Sequence, residues 1–368
     1  MRYLYNSMPC QDSSNHGIWN FAKQLSLEIE KHNRITSSFD YWYHSKIADT
    51  LTSVDGRGIL DTIEKLKAES LGGRSPTVLL HFDYGSYGWY DLPIWLPLFI
   101  FFLKYKCRKL KFAVFVHEIY PLSPRRIRES YLLKLSQKVT WLLFNQADAL
   151  FCSNPSVEKI LKSRKKNTQP CLYRPVFSNI GEKEAPNIKL SKISGDWVIF
   201  GSTGNLPKYI HSFHNQLDGF PEFLKPSHVT IIGGSNSHEV IHEINKLIEK
   251  NVDVLYIPSA LAEQCSEIFA KCQYCYINYF DEKMAINPEL LLKSGVFAAA
   301  NAHGVITVVP SGGMGKLATL STHPGVIWKN GNTWQEPKDN PLSCESILNW
   351  YQTHSSLKGM ADLIFSHL

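Results

Sequence analysis

The chain has 368 residues, of which 44% are hydrophobic and 20% are charged. This length supports about two domains with cores of their own, and the composition excludes disordered, collagen-like and coiled-coil proteins. The net charge of +6 is modest and the basic residues form no known nucleic-acid reader motif, so we expect no nucleic-acid partner.

The start of the chain and its cysteines indicate a cytoplasmic protein. Met1 to Asn6 is typical of a short strand and lacks the apolar stretch of a signal peptide. Eight cysteines at irregular positions indicate reduced, mostly buried thiols rather than a disulfide framework.

One apolar run, Leu92 to Leu103, is followed closely by basic residues. It contains two prolines and is shorter than the ~20 residues that span a bilayer. Two interpretations stay open: peripheral contact with an anionic membrane, or a buried helix with a solvated basic end. The basic residues are Lys104, Lys106, Arg108, Lys109, Lys111, Arg125, Arg126 and Arg128.

Strand-like and helix-like segments alternate along the first half of the chain, which predicts βαβ units and a parallel sheet. The predicted strands are Arg2 to Tyr5, Val78 to Phe82, Phe112 to His117 and Ala149 to Cys152. The predicted helices include Trp19 to Lys31 and Ile127 to Asn145.

A polar segment from Asn179 to Asp196 predicts a linker, after which a second βα series begins. The helix after Val252 to Ile257 is expected to start at an N-cap, Ser259. The strands predicted for this half are Trp197 to Phe200, His228 to Ile232, Val252 to Ile257, Tyr274 to Asn278, Val305 to Val309 and, as the last, Val326 to Trp328.

Two glycine-rich turns follow predicted strands of the second half. Gly201-Ser202-Thr203-Gly204-Asn205 precedes Lys208, and Gly233-Gly234-Ser235 follows the next strand. Glycine lets backbone amides approach a phosphate and a lysine supplies the countercharge, although each turn is also compatible with an ordinary βα connection.

A third candidate phosphate site is the start of the alanine-rich helix that ends near His303 and Gly304. Lys293, Ser294 and Gly295 are predicted at its amino end, where unpaired amides and a partial positive charge favour a diphosphate.

This C-terminal order resembles the donor half of GT-B glycosyltransferases, nearest the retaining family 4. Segments of the first half, Leu80 to Gly88 and Val116 to Tyr120, and a later one, Pro175 to Gly181, are similar to motifs of bacterial members. The resemblance implies an α/β fold of two Rossmann-like doubly wound parallel-sheet domains facing an interdomain cleft, and sugar transfer from a nucleotide-diphosphate sugar.

The resemblance also implies site residues in the first half. Asn15 and Gly17 match a loop under the donor phosphates, and His117 matches a histidine near the transferred sugar. Transfer with retention in that family needs no strong protein base, because the leaving diphosphate helps to deprotonate the acceptor.

The chain departs from the family at a glutamate that binds the donor ribose. Aligned on Gly304, that position is Ala299, and the earlier glutamate of the pattern falls near Leu291. Glu289 is the candidate substitute, and the identity of the donor base and sugar stays open.

Polar residues end two predicted strands of the first half: His81 and Asp83, then His117 and Glu118. Such groups can orient an acceptor hydroxyl or hydrogen-bond a sugar, whereas a single histidine there would more simply be structural. We expect the acceptor to be a glycan, a lipid-linked glycan or a small molecule.

Three other functions are compatible with parts of the sequence. His238-Glu239-Val240-Ile241-His242 matches a zinc-peptidase motif but follows a Gly-Gly-Ser turn, so we disfavour it and expect no metal and no cofactor. A nucleotide-sugar epimerase and a non-catalytic nucleotide-sugar-binding protein remain alternatives, since fold alone does not fix function.

The sequence predicts three regions. Residues 1–185 form an acceptor domain, residues 186–345 form the donor domain, and residues 346–368 form a helical end that crosses back to the first domain.

Overall fold

The computed structural model describes residues 2–8, 17–33, 36–41, 46–47, 50–51, 56–73, 75–83, 94–119, 127–166, 168–182, 193–278, 288–310, 323–337 and 342–368. The chain divides into two compact units. The first unit comprises Met1–Arg174 with Met360–Leu368, and the second comprises Pro175–Gly359.

The first unit is built on a six-stranded parallel sheet in the order β2-β1-β5-β6-β7-β8. Its strands are β1 (Arg2–Met8), β2 (Thr36–Tyr41), β5 (Ser75–Phe82), β6 (Lys111–Val116), β7 (Ala149–Cys152) and β8 (Cys171–Tyr173), with a small hairpin of β3 (Lys46–Ile47) and β4 (Thr50–Leu51). β2 lies on one side of β1 and β5 lies on the other, so the order of the strands switches between β1 and β5. Parallel sheets bind ligands at the carboxyl ends of the strands beside such a switch point.

Five helices are present among these strands in the described residues. They are α1 (Gly17–Asn33), α2 (Gly56–Leu71), α3 (Trp95–Lys106), α4 (Ile127–Phe144) and α5 (Pro155–Arg164). The sequence sets the start of α5 clearly, because Asn154 Oδ1 accepts a hydrogen bond from the Ser156 amide at 2.8 Å and Pro155 opens the first turn.

The second unit has a seven-stranded sheet in the order β11-β10-β9-β12-β13-β14-β15. Its strands are β9 (Ile193–Gly201), β10 (His228–Gly233), β11 (Asp253–Ile257), β12 (Cys272–Tyr276), β13 (Ile306–Val309), β14 (Val326–Asn330) and β15 (Thr333–Gln335). Only β15 among these described strands runs antiparallel. The six parallel strands have the order of a dinucleotide-binding sheet, with its switch point between β9 and β12.

The helices of the second unit are α6 (Leu206–Gln216), α7 (His238–Glu249), α8 (Ala262–Lys271), α9 (Gly295–Ala302), α10 (Cys344–His354) and the start of α11 (Leu357–His367). Short 3-10 helices span Leu217–Gly219, Glu222–Leu224 and Pro288–Lys293. No helix in the described part of the chain is long and apolar enough to cross a bilayer.

Each sheet has an apolar core. In the second unit Trp197 on β9 is fully buried and packs against Tyr274 and Phe220, with ring centroids 4.8 and 5.3 Å away. Burying a side chain of this size contributes about 2 to 3 kcal/mol, which fixes β9 at the centre of its sheet.

Two predictions for the second unit were wrong. Ser259 is not an N-cap: its φ of +50° is left-handed, its Oγ donates to the Gly234 carbonyl, and α8 begins later, at Ala262. Val326 to Trp328 is not the last strand, because β15 pairs with it in a short hairpin.

The predicted linker is shorter than Asn179 to Asp196. Residues 193–196 belong to β9, where Gly195 has a φ of +80° and donates to Gln273 Oε1 at 2.9 Å. The glycine that indicated a linker therefore lies inside a strand, where a close approach of Ser227 leaves no room for a Cβ.

Candidate active site

Two histidines meet at the carboxyl edge of the first sheet. His81 lies at the end of β5 and His117 directly after β6, and His81 Nδ1 lies 3.2 Å from His117 Nε2. The strands hold this pair in place, since the His117 amide donates to the Phe82 carbonyl at 2.8 Å.

Burial determines the protonation of the His81 ring. His81 is fully buried, and burial lowers its pKa to about 3, so it is neutral at neutral pH. One of the two facing nitrogens must donate and the other accept. His81 can therefore fix the orientation of His117 without carrying charge.

Helix α1 covers the histidine pair. Phe21 presents its edge to the His117 ring, with centroids 5.3 Å apart, and lies 4.8 Å from Phe115. Gly17, at the exposed amino end of α1, is one turn away from Phe21, so the structure places it at the same edge of the sheet. Asn15 lies outside the described residues.

Asp83 and Glu118 follow the same two strands. Asp83 is half-buried and Glu118 is exposed. Asp83 comes directly after β5 and Glu118 follows His117 after the end of β6, so both residues lie at the same carboxyl edge of the sheet as the two histidines. This edge can orient a hydroxyl-bearing molecule by hydrogen bonds.

The two glycine-rich turns of the second unit lie against each other. Gly201 and Gly233 are partners in the β9–β10 register, and a Cβ on Gly233 would stand 2.4 Å from the Gly201 carbonyl oxygen. With a φ of +92°, Gly233 could not be replaced without strain.

The first of these turns leads directly into α6. The Ser202 carbonyl accepts hydrogen bonds from the amides of Asn205 and Leu206, at 3.0 and 2.9 Å. Ser202, Asn205 and, in the first turn of α6, Lys208 are exposed. The turn therefore presents backbone and a cation together at the carboxyl edge.

The predicted helix start after Lys293 is present in the structure. Ser294 is the N-cap of α9 and its Oγ accepts from the Phe297 amide at 3.1 Å. Lys293 ends the preceding 3-10 helix, which also contains the half-buried Glu289, and Gly295 is the first residue of α9. Since α9 runs back to β13, its amino end lies at the carboxyl edge of the sheet.

Ala299 lies in the second turn of α9 and is fully buried. Its carbonyl accepts from His303 Nδ1 at 2.8 Å, and His303 Nε2 lies 2.8 Å from Ser266 Oγ. The methyl group offers no hydrogen bond to a ribose, so any contact with ribose hydroxyls has to come from other residues.

Two polar groups at this edge were missed by the sequence analysis as site candidates. Asn179 Oδ1 would lie 3.7 Å from a Cβ on Gly295, beside the start of α9. After β12, Asn278 Nδ2 donates to Ser212 Oγ at 2.7 Å, and Ser212 Oγ lies 2.8 Å from Tyr276 Oη. A polar residue directly after a strand at the switch point was the available signal for Asn278.

The zinc-peptidase motif lies at the start of α7, after the N-cap Ser237. The rings of His238 and His242 are stacked with centroids 6.4 Å apart. Within the described residues, no group of three or more His, Cys, Asp or Glu side chains is arranged to hold a metal ion.

Comparison with known proteins gives a likeness of structure only. No protein-family model matches the chain, and no curated protein matches it in sequence. Sucrose-phosphate synthase from Thermosynechococcus elongatus aligns over 100% of this chain and 98% of its own, with 12% identity and a TM-score of 0.55.

Two further solved structures align over the whole chain. The lipopolysaccharide outer core galactosyltransferase WaaB, in its apo form, is covered over 100% of its length with 11% identity and a TM-score of 0.51. AviGT4, a glycosyltransferase involved in avilamycin A biosynthesis, is covered over 97% with 10% identity and a TM-score of 0.53. At these identities the likeness shows the fold, and the chain has the GT-B fold that its sequence motifs predict.

Proposed function

We propose that the chain is a glycosyltransferase that moves a sugar from a nucleotide-diphosphate sugar onto an acceptor hydroxyl. The observation that carries this proposal is the carboxyl edge of the second sheet, where two packed glycine-rich turns and the Ser294-capped start of α9 lie around the β9–β12 switch point. Helix amino ends and glycine turns are the usual binding places of diphosphates.

In the proposed donor site, backbone groups and two lysines bind the diphosphate. The turn with Gly201, Ser202 and Asn205 lies on one side, next to Lys208, and is supported from behind by Gly233. Lys293, Ser294 and Gly295 lie on the other side. Since the Ala299 side chain cannot hydrogen-bond the ribose, we assign the binding of the ribose hydroxyls to Glu289.

In the proposed acceptor site, His117 hydrogen-bonds the reacting sugar or the incoming hydroxyl, and His81 orients it. Asp83 and Glu118 bind further hydroxyls, and we assign Asn15 and Gly17 to contacts with the donor phosphates. We propose that transfer retains the anomeric configuration, that the leaving diphosphate accepts the acceptor proton, and that no metal ion takes part.

A lipid-linked glycan is the acceptor that we favour. The apolar run Leu92 to Leu103 and the basic residues after it support peripheral contact of a cytoplasmic protein with the inner face of a membrane. A lipid-linked substrate is presented at such a surface.

The proposal is tested by incubating the purified chain with a panel of nucleotide sugars and measuring nucleoside diphosphate by chromatography. Glycosyltransferases slowly hydrolyse their donor even without an acceptor, so we expect release of nucleoside diphosphate from at least one nucleotide sugar. If every donor is left intact, the result favours a non-catalytic binding protein. If the sugar is isomerised without transfer, it favours an epimerase.

A further inference from the structure

A cavity of about 710 Å³ lies at the amino-terminal edge of the first sheet. It is lined by the ends of α3 and α4 and by residues that precede or open β6, β7 and β8. The strands of this sheet are parallel, so the cavity is at the opposite edge from His81 and His117 and belongs to neither proposed substrate site.

Buried hydrogen bonds hold the floor of the cavity. The side-chain amide of Gln169 donates to the carbonyls of Phe144 and Ala147, at 2.8 and 2.6 Å. The side-chain amide of Gln146, just after α4, donates to the Pro97 carbonyl at 3.0 Å and thereby connects this end of α4 to α3. These bonds join the segments that line the cavity, and the carbonyls of Phe144 and Ala147 already have donors.

The lining is positively charged. It contains Lys104, Lys111 and Lys166 against a single acidic residue, Asp148. Lys104 Nζ lies 3.2 Å from the Asp148 carboxylate, which also accepts from the Phe112 amide at 2.8 Å. Lys111 and Lys166 are exposed and remain to attract an anion.

An exposed apolar stripe begins at the same cavity. Phe101 and Tyr105 line it and are 67% and 70% exposed, and Leu98, one turn earlier on the outward side of α3, is 68% exposed. The spacing of three and four residues places all three on one side of the helix. Apolar side chains so exposed beside lysines are typical of a surface that an amphiphile covers.

We propose that this cavity binds a phosphorylated amphiphile, with its phosphate against Lys111 and Lys166 and its apolar part along Leu98, Phe101 and Tyr105. The ligand is an anionic phospholipid of the bilayer surface. Binding is noncovalent: the phosphate occupies the cavity, and no covalent bond forms or breaks. This inference rests on the membrane contact proposed for the acceptor. Failure of vesicle binding would remove the support for a lipid-linked acceptor, whereas release of nucleoside diphosphate from a soluble nucleotide sugar is measured without membranes and would be unaffected.

The test is co-sedimentation of the full chain with phosphatidylcholine vesicles that contain or lack phosphatidic acid. Binding is expected only with phosphatidic acid. Lys111→Gln with Lys166→Gln should lower the partition coefficient roughly 30-fold, because each lysine near an anionic surface contributes about 1 kcal/mol. The matched control, Lys65→Gln with Lys159→Gln, removes the same charge from exposed positions on α2 and α5 and should change it far less.

A third variant, Leu98→Ser with Tyr105→Ser, tests the apolar stripe and should also weaken vesicle binding. Glycerol 3-phosphate and inorganic phosphate are titrated as soluble probes and should bind much more weakly than vesicles. Equal binding of these soluble probes, equal losses in both lysine variants, or no preference for phosphatidic acid would each overturn the proposal.

Discussion

At the scale of single residues, the buried His81 links the proposed acceptor site to the pH dependence of stability. Its pKa is about 3 in the folded chain, against 6.5 for an ordinary histidine, because burial disfavours the charged ring. The unfolded chain therefore binds a proton that the folded chain does not between these pH values. The contribution of neutral His81 to the free energy of unfolding is fully present above about pH 6.5. It is lost as the pH falls from about 6.5 to about 3.

We expect this one residue to lower the free energy of unfolding by about 2 kcal/mol between about pH 7 and about pH 5. Urea unfolding of the parent chain and of His81→Asn at both pH values measures it. The variant should lose correspondingly less over the interval, whatever its stability at neutral pH. An unchanged pH dependence in His81→Asn would contradict the assignment, and the exposed His367→Asn is the control.

His117 makes a separate prediction about turnover. If it hydrogen-bonds the reacting groups, His117→Ala should reduce transfer roughly 10- to 100-fold while the Kd of the donor changes little. His117→Gln, which keeps a donor at that position, should recover part of the rate. Undiminished turnover in His117→Ala would mean that the histidine only packs against Phe21 and Phe115.

At the scale of elements, the start of α9 has two functions that substitutions can separate. Lys293 supplies charge and Ser294 supplies the cap. Lys293→Glu should raise the Kd of a nucleoside diphosphate roughly 10-fold or more, since a charge-assisted hydrogen bond contributes about 1.5 to 3 kcal/mol. Lys271→Glu, at the last residue of α8, is the matched control. Isothermal titration of both variants gives the comparison, and equal affinities would refute the role of Lys293.

The elements also show what the sequence can and cannot predict. Ala149–Cys152 and the start of α9 were predicted at their observed positions, because an apolar run and a serine cap are local signals. The helix Gly56–Leu71 and the strand Thr36–Tyr41 were missed. Ser259 failed as a cap because its side chain bonds to the neighbouring turn at Gly234, a contact made only by the folded sheet.

At the scale of the whole molecule, sequence motifs were sufficient for the GT-B fold but not for all of the site. The turns at Gly201 and Gly233 were predicted separately, whereas their contact depends on the pairing of β9 with β10. The same holds for His81 and His117, which are far apart in sequence and meet because β5 pairs with β6. Nothing local indicates that Asn179 lies beside Gly295.

In the proposed function, the second unit holds the diphosphate of a nucleotide sugar at the start of α9. Ser294→Asp tests it most directly, because aspartate also caps helices well and should keep α9 intact, while its negative charge would repel a diphosphate. The measurement is the affinity of nucleoside diphosphates for the parent chain and for Ser294→Asp, with thermal unfolding as the check on folding. We predict unfolding midpoints that nearly coincide and a Kd at least about tenfold higher in the variant. Binding that is equally tight in a well-folded Ser294→Asp would contradict diphosphate binding at the start of α9.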